Sequence, residues 1–329
     1  PVMSQLLQLA DSAAPTLRER TASLCDIAER DLLQESIADK RSPNTCRTYT
    51  KALLDFFNRI AQSQPTPQLV REFLALDRYH AMTLVLRYRR MLIDRGLAPS
   101  TINTRLAAIK SLVSYARKVG ECHYDLADVE GVRVETYRDT SGVNPTEYQG
   151  MIGIFDRQTL KGVRDYAMLR LLWDNALRRA ELCQANVKDF DPIGGKLWII
   201  GKGKVQRESI DLSRQSIQAI QAWLELRGKC KATEPLFCTL DRATKGHRLS
   251  GNAIYNLVRE TGTAAGIYKV MSPHRVRHSA ITAALDATNG DTRRVQKLSR
   301  HADLNTLTRY DDNRRHHQGE VTKILAELV

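Results

Sequence analysis

The sequence predicts a mainly α protein with one small antiparallel sheet, divided into an all-α N-terminal domain and an α/β C-terminal domain. Three observations carry this expectation. Apolar side chains recur every three or four residues over most of the chain, the period of helices with one buried face. One pair of short strand-like runs flanks the turn Gly201-Lys202-Gly203-Lys204. Between about Cys122 and Asn144 the periodicity fades and turn formers take over (Gly131, Asp139, Ser141-Gly142), as in a linker. A chain of 329 residues is long for a single core, so the expected division is residues 1–125, a linker over 126–145, and 146–329.

Taken in order, the stretch up to about Lys40 reads as a polar helical segment with Leu24, Ile27, Leu32 and Leu33 as a weak apolar stripe. Ser42-Pro43 is a helix start, a hydroxyl cap followed by a proline whose missing N–H costs nothing at the first helical position. The helix it opens would bury Tyr49, Leu53, Phe56, Phe57 and Ile60 and turn Asn44, Arg47 and Lys51 outward. Gln64-Pro65-Thr66-Pro67 breaks it, and a helix is expected over Gln68–Leu76. The run from His80 to Arg95, with Arg87, Arg89 and Arg90, reads as a basic helix ending at Gly96. Pro99-Ser100 is expected to cap the next one, with Ile102, Leu106, Ile109, Leu112 and Val113 inside and Arg105, Lys110, Arg117 and Lys118 outside.

In the second domain, helices are expected over Glu147–Phe155 and Arg164–Asn175, and strands over Lys196–Ile200 and Val205–Leu212. Ser213–Arg227 follows as an amphipathic helix stopped by Gly228, and Ser250 opens another that stops near Gly262. Ser272-Pro273 repeats the cap-and-proline start. A turn at Asn289-Gly290 leads to a helix capped by Asp291, and Asp303 begins one that carries Tyr310. The tail sets Val321, Ile324, Leu325 and Leu328 on one face, suited to finishing this core or docking on a neighbouring subunit.

A formal net charge of +13 favours a polyanionic partner. Several basic helical faces within one short module point to phosphate contacts, with Asn44, Arg47, Lys51, Arg87, Arg90, Arg105 and Lys110 as the candidates in the first domain and Lys204 and Arg275 in the second. No long apolar span marks a membrane segment, and Pro1 to Ala10 lacks the pattern of a secretory signal, so a cytoplasmic, nucleoid-associated location is expected. The six cysteines (Cys25, Cys46, Cys122, Cys183, Cys230, Cys238) are dispersed with no Cys-x-x-Cys pair, the pattern of reduced, packed thiols and not of a zinc site. His316 and His317 have no partner at metal-ligand spacing, so no metal is expected.

Cutting a phosphodiester through a protein nucleophile needs an attacking oxygen, cations for the pentacoordinate phosphorane, and an acid for the leaving oxygen. The chain offers each part. His274 and Arg277 lie one turn apart at a helix start, a ready phosphate site. Leu177-Arg178-Arg179-Ala180-Glu181-Leu182 sits at a helix junction, the Gly-Lys-Gly turn offers Lys202 or Lys204, and His301 precedes Tyr310 by nine residues. His278, one turn from His274, reads as a packed or supporting histidine, and Arg275 is expected to face away from the pair, where a backbone phosphate could meet it.

The order Arg, Lys, His-x-x-Arg, His, Tyr resembles the catalytic domain of the tyrosine recombinase (phage integrase) family, close to its Xer-like and integrase branches. The motifs run from Glu147 to Val329, and the module before them resembles the family's core-binding domain. The resemblance implies an all-α core-binding (SAM-like) domain and an α/β catalytic domain closing on duplex DNA as a C-shaped clamp. It implies that Tyr310 forms a 3′-phosphotyrosyl link, that Arg178 and Arg277 clamp the phosphate, and that Lys202 protonates the 5′-oxygen, with Lys204 as its alternative. His274 would be general base or acid, His301 would hydrogen-bond the phosphate, and Glu181 would orient the basic cluster. No metal, nucleotide or other cofactor is implied. The implied partners are double-stranded DNA with inverted half-sites, a second protomer on that site and a homotetramer in the synapse, with accessory DNA-bending proteins left open. Strand exchange through a four-way junction is favoured over a type IB topoisomerase, a telomere resolvase or a silent DNA-binding regulator. One departure stands beside the site: the family usually has glycine before the second histidine, and this chain has Arg300, which adds bulk and charge there.

Overall fold

The structure is a computed structural model that describes residues 30–134, 142–201, 203–204, 206–301, 307, 322–323 and 325–328. It separates into two compact units, Pro1–Tyr137 and Arg138–Val329.

Among the described residues the first unit has helices and no strand: α1 (Leu32–Ala38), α2 (Pro43–Ala61), α3 (Pro67–Ala75), α4 (Arg78–Asp94) and α5 (Pro99–Lys118). Side-chain oxygens of Asp31, Ser42, Thr66 and Asp77 accept first-turn N–H groups of α1 to α4, supplying partners that the helix itself cannot. Against expectation, α5 has no such cap. Ala98 holds the cap position, and Pro99 alone sets the first turn. The core centres on Phe56, Phe57, Phe73 and Tyr88, whose rings meet edge to face with centroids 5.1–5.8 Å apart.

The stretch expected to be linker is in part packed. Tyr124, Leu126 and Val129 are buried in this helical core, and the Tyr124 hydroxyl donates to the Phe73 carbonyl at 2.7 Å. The Asn103 side chain exchanges two hydrogen bonds with the Val132 backbone, at 2.7 and 2.9 Å. A non-repeating segment held by hydrogen bonds to residues more than twenty positions away leaves no periodic signal, which is why its sequence reads as loop.

The second unit contains α6 (Pro145–Gly153), α7 (Leu160–Asp174), α8 (Arg179–Gln184), α9 (Arg214–Arg227), α10 (Gly251–Ala264), α11 (Pro273–Ala287) and α12 (Thr292–Ser299). Its sheet has three antiparallel strands in the order β1 (Phe190–Asp191), β2 (Lys196–Ile200) and β3 (Arg207–Asp211), with Leu197 opposite Ile210 and Ile199 opposite Glu208. The hairpin matches expectation, whereas β1 is too short to register as a periodic run. Leu197 and Ile199 point into a core shared with Leu171, Leu172, Ile220 and Trp223. α10 runs past Gly262, because that glycine marks a close approach and not a stop: a Cβ there would lie 2.7 Å from Met271 Cγ. The helix ends where Gly266 turns at φ +72°.

A smaller apolar cluster positions the site. Ala280, Ile281 and Leu285 of α11, Val295 of α12, Leu307 and Ala176 of the α7–α8 junction are all buried together. It ties α11, α12, Leu307 and the α7–α8 junction to one another, and the site is built at their edges. Among the described residues no helix is long and apolar enough to cross a membrane. Cys46, Cys122, Cys183, Cys230 and Cys238 are all thiols, and Cys25 lies outside the described residues.

Candidate active site

The α11 start forms as its sequence requires. Ser272 Oγ accepts the Arg275 N–H at 3.2 Å, with Pro273 at the first position. His274 and Arg277 are one turn apart, yet they differ sharply in setting: His274 is exposed and Arg277 is only 2% exposed. The Arg277 guanidinium donates to the carbonyls of Ala176 and Ser299, and its Nη2 lies 3.4 Å from His301 Nε2. One side chain thereby joins the α7–α8 junction, the end of α12 and the second histidine.

Arg178 occupies the cap position of α8. Its backbone N–H donates to Glu181 Oε2 at 2.8 Å, its Nη1 to Glu181 Oε1 at 2.7 Å, and its Nη2 to the Arg300 carbonyl at 3.3 Å. Arg179 is exposed and reaches instead toward the Gly251 carbonyl at 3.4 Å, so Arg178 is the arginine beside Arg277 and His301. Glu181 is 1% exposed. Burial alone would raise its pKa, but the Arg300 guanidinium and the hydrogen bonds and charge of Arg178 outweigh it and hold the carboxyl below its usual range.

His301 is half-buried among cations. Burial first, then the charges of Arg277, Arg178, Arg300 and His274, push its pKa down from 6.5 to about 4, leaving the ring neutral near pH 7. All four groups bear on this one imidazole, so Arg178, His274, Arg277 and His301 share one neighbourhood. Its backbone is fixed by Gln296, whose Nε2 donates to the His301 carbonyl at 3.0 Å.

His278 touches His274 directly, Nε2 to Nε2 at 2.8 Å with the rings edge to face. One of these nitrogens must carry a proton and the other accept it, so each ring constrains its neighbour's tautomer. Arg275 is half-buried. At the β2–β3 turn the Lys204 N–H donates to the Gly201 carbonyl at 3.0 Å, and Gly203 sits at φ +77°, a left-handed conformation that glycine adopts without strain. Lys204 pairs with Glu208 and stays largely exposed. Lys202 and Tyr310 lie outside the described residues.

In the helical unit Asn44, Arg47 and Lys51 are exposed on α2, as are Arg87 and Arg90 on α4, where Arg90 pairs with Asp94 at 2.9 Å. Lys110 is partly exposed on α5. Arg105, expected on an open face, is half-buried, and its guanidinium binds the Asp55 carboxylate. Asp55 also accepts from the Tyr88 hydroxyl and Arg59, so Arg105 closes an internal network. It still borders a cleft of about 360 Å³ between α2 and α5, lined also by Thr48, Lys51, Ser100 and Thr104. Among the described residues no group of His, Cys, Asp and Glu side chains could hold a metal ion.

The pKa of His301 gives a pH expectation with a definite sign. Between pH 6.5 and about 4 the unfolded chain takes up a proton at this ring that the folded protein excludes, so stability falls as pH drops through that window. Glu181 adds to the trend, since its lowered pKa gives stability that is lost as pH falls through the folded value. Thermal melts from pH 7 to pH 4 should show Tm falling, with a shallower fall in His301→Asn. An equal slope in both proteins would contradict the placement of this ring.

Residues 143–317 match the Phage integrase family, and residues 31–120 match the phage integrase N-terminal SAM-like domain. A tyrosine recombinase of Synechocystis sp. is 60% identical over 300 residues, 91% of this chain and 96% of the relative. One from Synechococcus elongatus is 48% identical over 308 residues, covering 93% and 96%. Among solved structures, the XerH site-specific recombinase bound to a palindromic difH substrate has a TM-score of 0.65 at 21% identity, covering 85% of this chain and 80% of that one. A lambda integrase dimer bound to a COC′ core site has a TM-score of 0.62 at 13% identity, covering 95% and 86%. At such identities these two likenesses concern the fold. Two matched family domains in order, and relatives aligned over almost their whole length, lead to one conclusion: the chain belongs to the Phage integrase family and is a tyrosine recombinase, a site-specific DNA recombinase.

Proposed function

We propose that the residues gathered around His301 bind one scissile phosphate of duplex DNA and that Tyr310 attacks it. In that step the bond from the tyrosine oxygen to phosphorus forms and the bond from phosphorus to the 5′-oxygen breaks. The phenol proton passes to His274, which His278 holds in tautomer, and Lys202 delivers a proton to the leaving 5′-oxygen, with Lys204 as the alternative donor. Arg178 and Arg277 hold the non-bridging oxygens, and neutral His301 donates a hydrogen bond as negative charge develops. The 3′-phosphotyrosyl bond conserves the energy of the phosphodiester, so a 5′-hydroxyl from a partner strand reverses the step without a metal or a nucleotide.

The observation that carries this reading is the convergence of Arg178, His274, Arg277 and His301 from three separate chain segments, with Glu181 as the carboxylate that pairs with Arg178 and Arg300 among the described residues. Such a site has an excess of fixed positive charge that an entering phosphodiester neutralises.

On the helical unit, exposed Asn44, Arg47, Lys51, Arg87 and Arg90 and the partly exposed Lys110 suit backbone phosphate contacts, and the Arg105-lined cleft adjoins Lys51. Two protomers on inverted half-sites and four in the synapse are the assembly we favour, working on DNA in the cytoplasm and drawing on accessory DNA-bending proteins where a site demands them. Leu325 and Leu328, 58% and 76% exposed, leave the tail an apolar surface for a neighbouring subunit. The test mixes two differently labelled duplexes carrying the sequence that the protein protects from nuclease, in EDTA. Exchanged duplexes support the proposal; relaxed supercoils alone or hairpin ends would overturn it in favour of a topoisomerase or a resolvase.

A further inference from the structure

We propose that Arg300 is a positioning residue that holds Arg178 in its working geometry through Glu181. The inference rests on Arg178 being a phosphate clamp, and adds a residue to that clamp.

Arg300 sits at the C-terminal cap of α12 with φ +55° and ψ +37°, the left-handed conformation where glycine is ordinarily favoured. A long cationic side chain at such a position calls for a compensating role. The chain turns there, and two successive carbonyls at the helix end, those of Ser299 and Arg300, become acceptors for Arg277 and Arg178 respectively. The backbone of this corner therefore receives both clamp arginines.

The side chain, only 10% exposed, runs the other way. Its Nη1 donates to the carbonyls of Leu298 at 2.7 Å and Asn175 at 3.1 Å, and its Nη2 to Glu181 Oε2 at 2.9 Å. Every one of these contacts is inward, which separates Arg300 from a phosphate ligand. Glu181 divides its oxygens accordingly: Oε1 takes Arg178 Nη1, while Oε2 takes the Arg178 backbone N–H and Arg300. Without Arg300, a buried carboxylate would lose one of its cations, and Arg178 would lose a rigid anchor on its far side. The fork geometry matters, because a single guanidinium spans the carboxylate and the junction carbonyls together, which a lysine ammonium cannot do.

Arg300→Gly isolates the side chain, since glycine suits the backbone conformation at this corner. The experiment measures single-turnover formation of the covalent adduct on a nicked duplex of the protected sequence, with DNA affinity and Tm beside it. Wild type, Arg300→Gly, Arg178→Lys and the double variant form one cycle. Arg300→Gly is expected to slow adduct formation about 10- to 100-fold while DNA affinity changes by less than about threefold. In the Arg178→Lys background the same change is expected to cost less than about threefold, because its effect runs through Arg178. If Arg300→Gly melts below the assay temperature, Arg300→Gln takes its place with the same criteria. A wild-type rate in the variant, or an equal loss in both backgrounds, would overturn the proposal. A wild-type protein that forms no adduct would instead overturn the active-site reading on which it rests.

Discussion

The Tyr310→Phe protein is expected to bind its DNA site with unchanged affinity and to form no covalent adduct, a loss of at least about 10⁴-fold in cleavage. The substitution removes one oxygen, which in the proposed mechanism is both the attacking atom and the point of attachment. Phosphate binding remains with Arg178, Arg277 and His301, which are held by Glu181, by backbone carbonyls and by the Arg277–His301 contact. Water acting in place of the phenol would yield a hydrolysed strand that cannot be rejoined. The measurement is denaturing electrophoresis of labelled duplex after incubation in EDTA, with a mobility-shift titration in parallel. Adducts that persist at the wild-type level would assign the nucleophile elsewhere.

Arg277→Lys is expected to combine two defects. The guanidinium at this position bridges the Ala176 and Ser299 carbonyls and meets His301, and it is buried. A lysine keeps the charge but presents a single ammonium, which cannot reach two carbonyls on opposite sides and offer paired donors to a phosphate. Cleavage should fall by about 10²- to 10³-fold, the usual consequence of losing one preorganised donor at a developing charge. Stability should fall by about 1–3 kcal/mol, because at least one buried carbonyl is left without its partner. Arg178→Lys, at a more exposed residue, should show the rate defect with a smaller change in Tm. Equal loss of stability in the two variants would contradict the assignment of Arg277 as the structural tie between the α7–α8 junction and α12.

Much of the fold was legible because its determinants are local. The caps at Ser42, Ser213, Ser250, Ser272 and Asp291 all act within three residues, and each lies where its helix starts. The β2–β3 hairpin was legible for the same reason. The packing of Tyr124, Leu126 and Val129 on the helical unit was not, because their partners lie far along the chain. Gly262 showed a different limit: its composition signals a helix stop, while its actual constraint is the Met271 side chain.

The site divides in the same manner. Helical spacing paired His274 with Arg277, the family resemblance added Arg178, Glu181 and His301, and the structure places the five together. Spacing put His274 and Arg277 on one helical face, but only packing against Ala176 and the end of α12 decides that one is exposed and the other buried. Arg105 was grouped with surface bases because its partner, Asp55, is on another helix. Arg300 stood out as a bulky residue in a glycine position, and its use of Glu181 follows from a fold that brings residues 119 apart into contact.

The most direct measurement is the chemical identity of the protein–DNA link. Wild-type protein is trapped on a nicked duplex in EDTA, digested with protease and nuclease, and the nucleotide-bearing peptide is sequenced by mass spectrometry. The expected product is the peptide containing Tyr310 joined through its phenolic oxygen to a 3′-phosphate. A nucleotide on any other residue, or a link to a 5′-phosphate, would contradict the account.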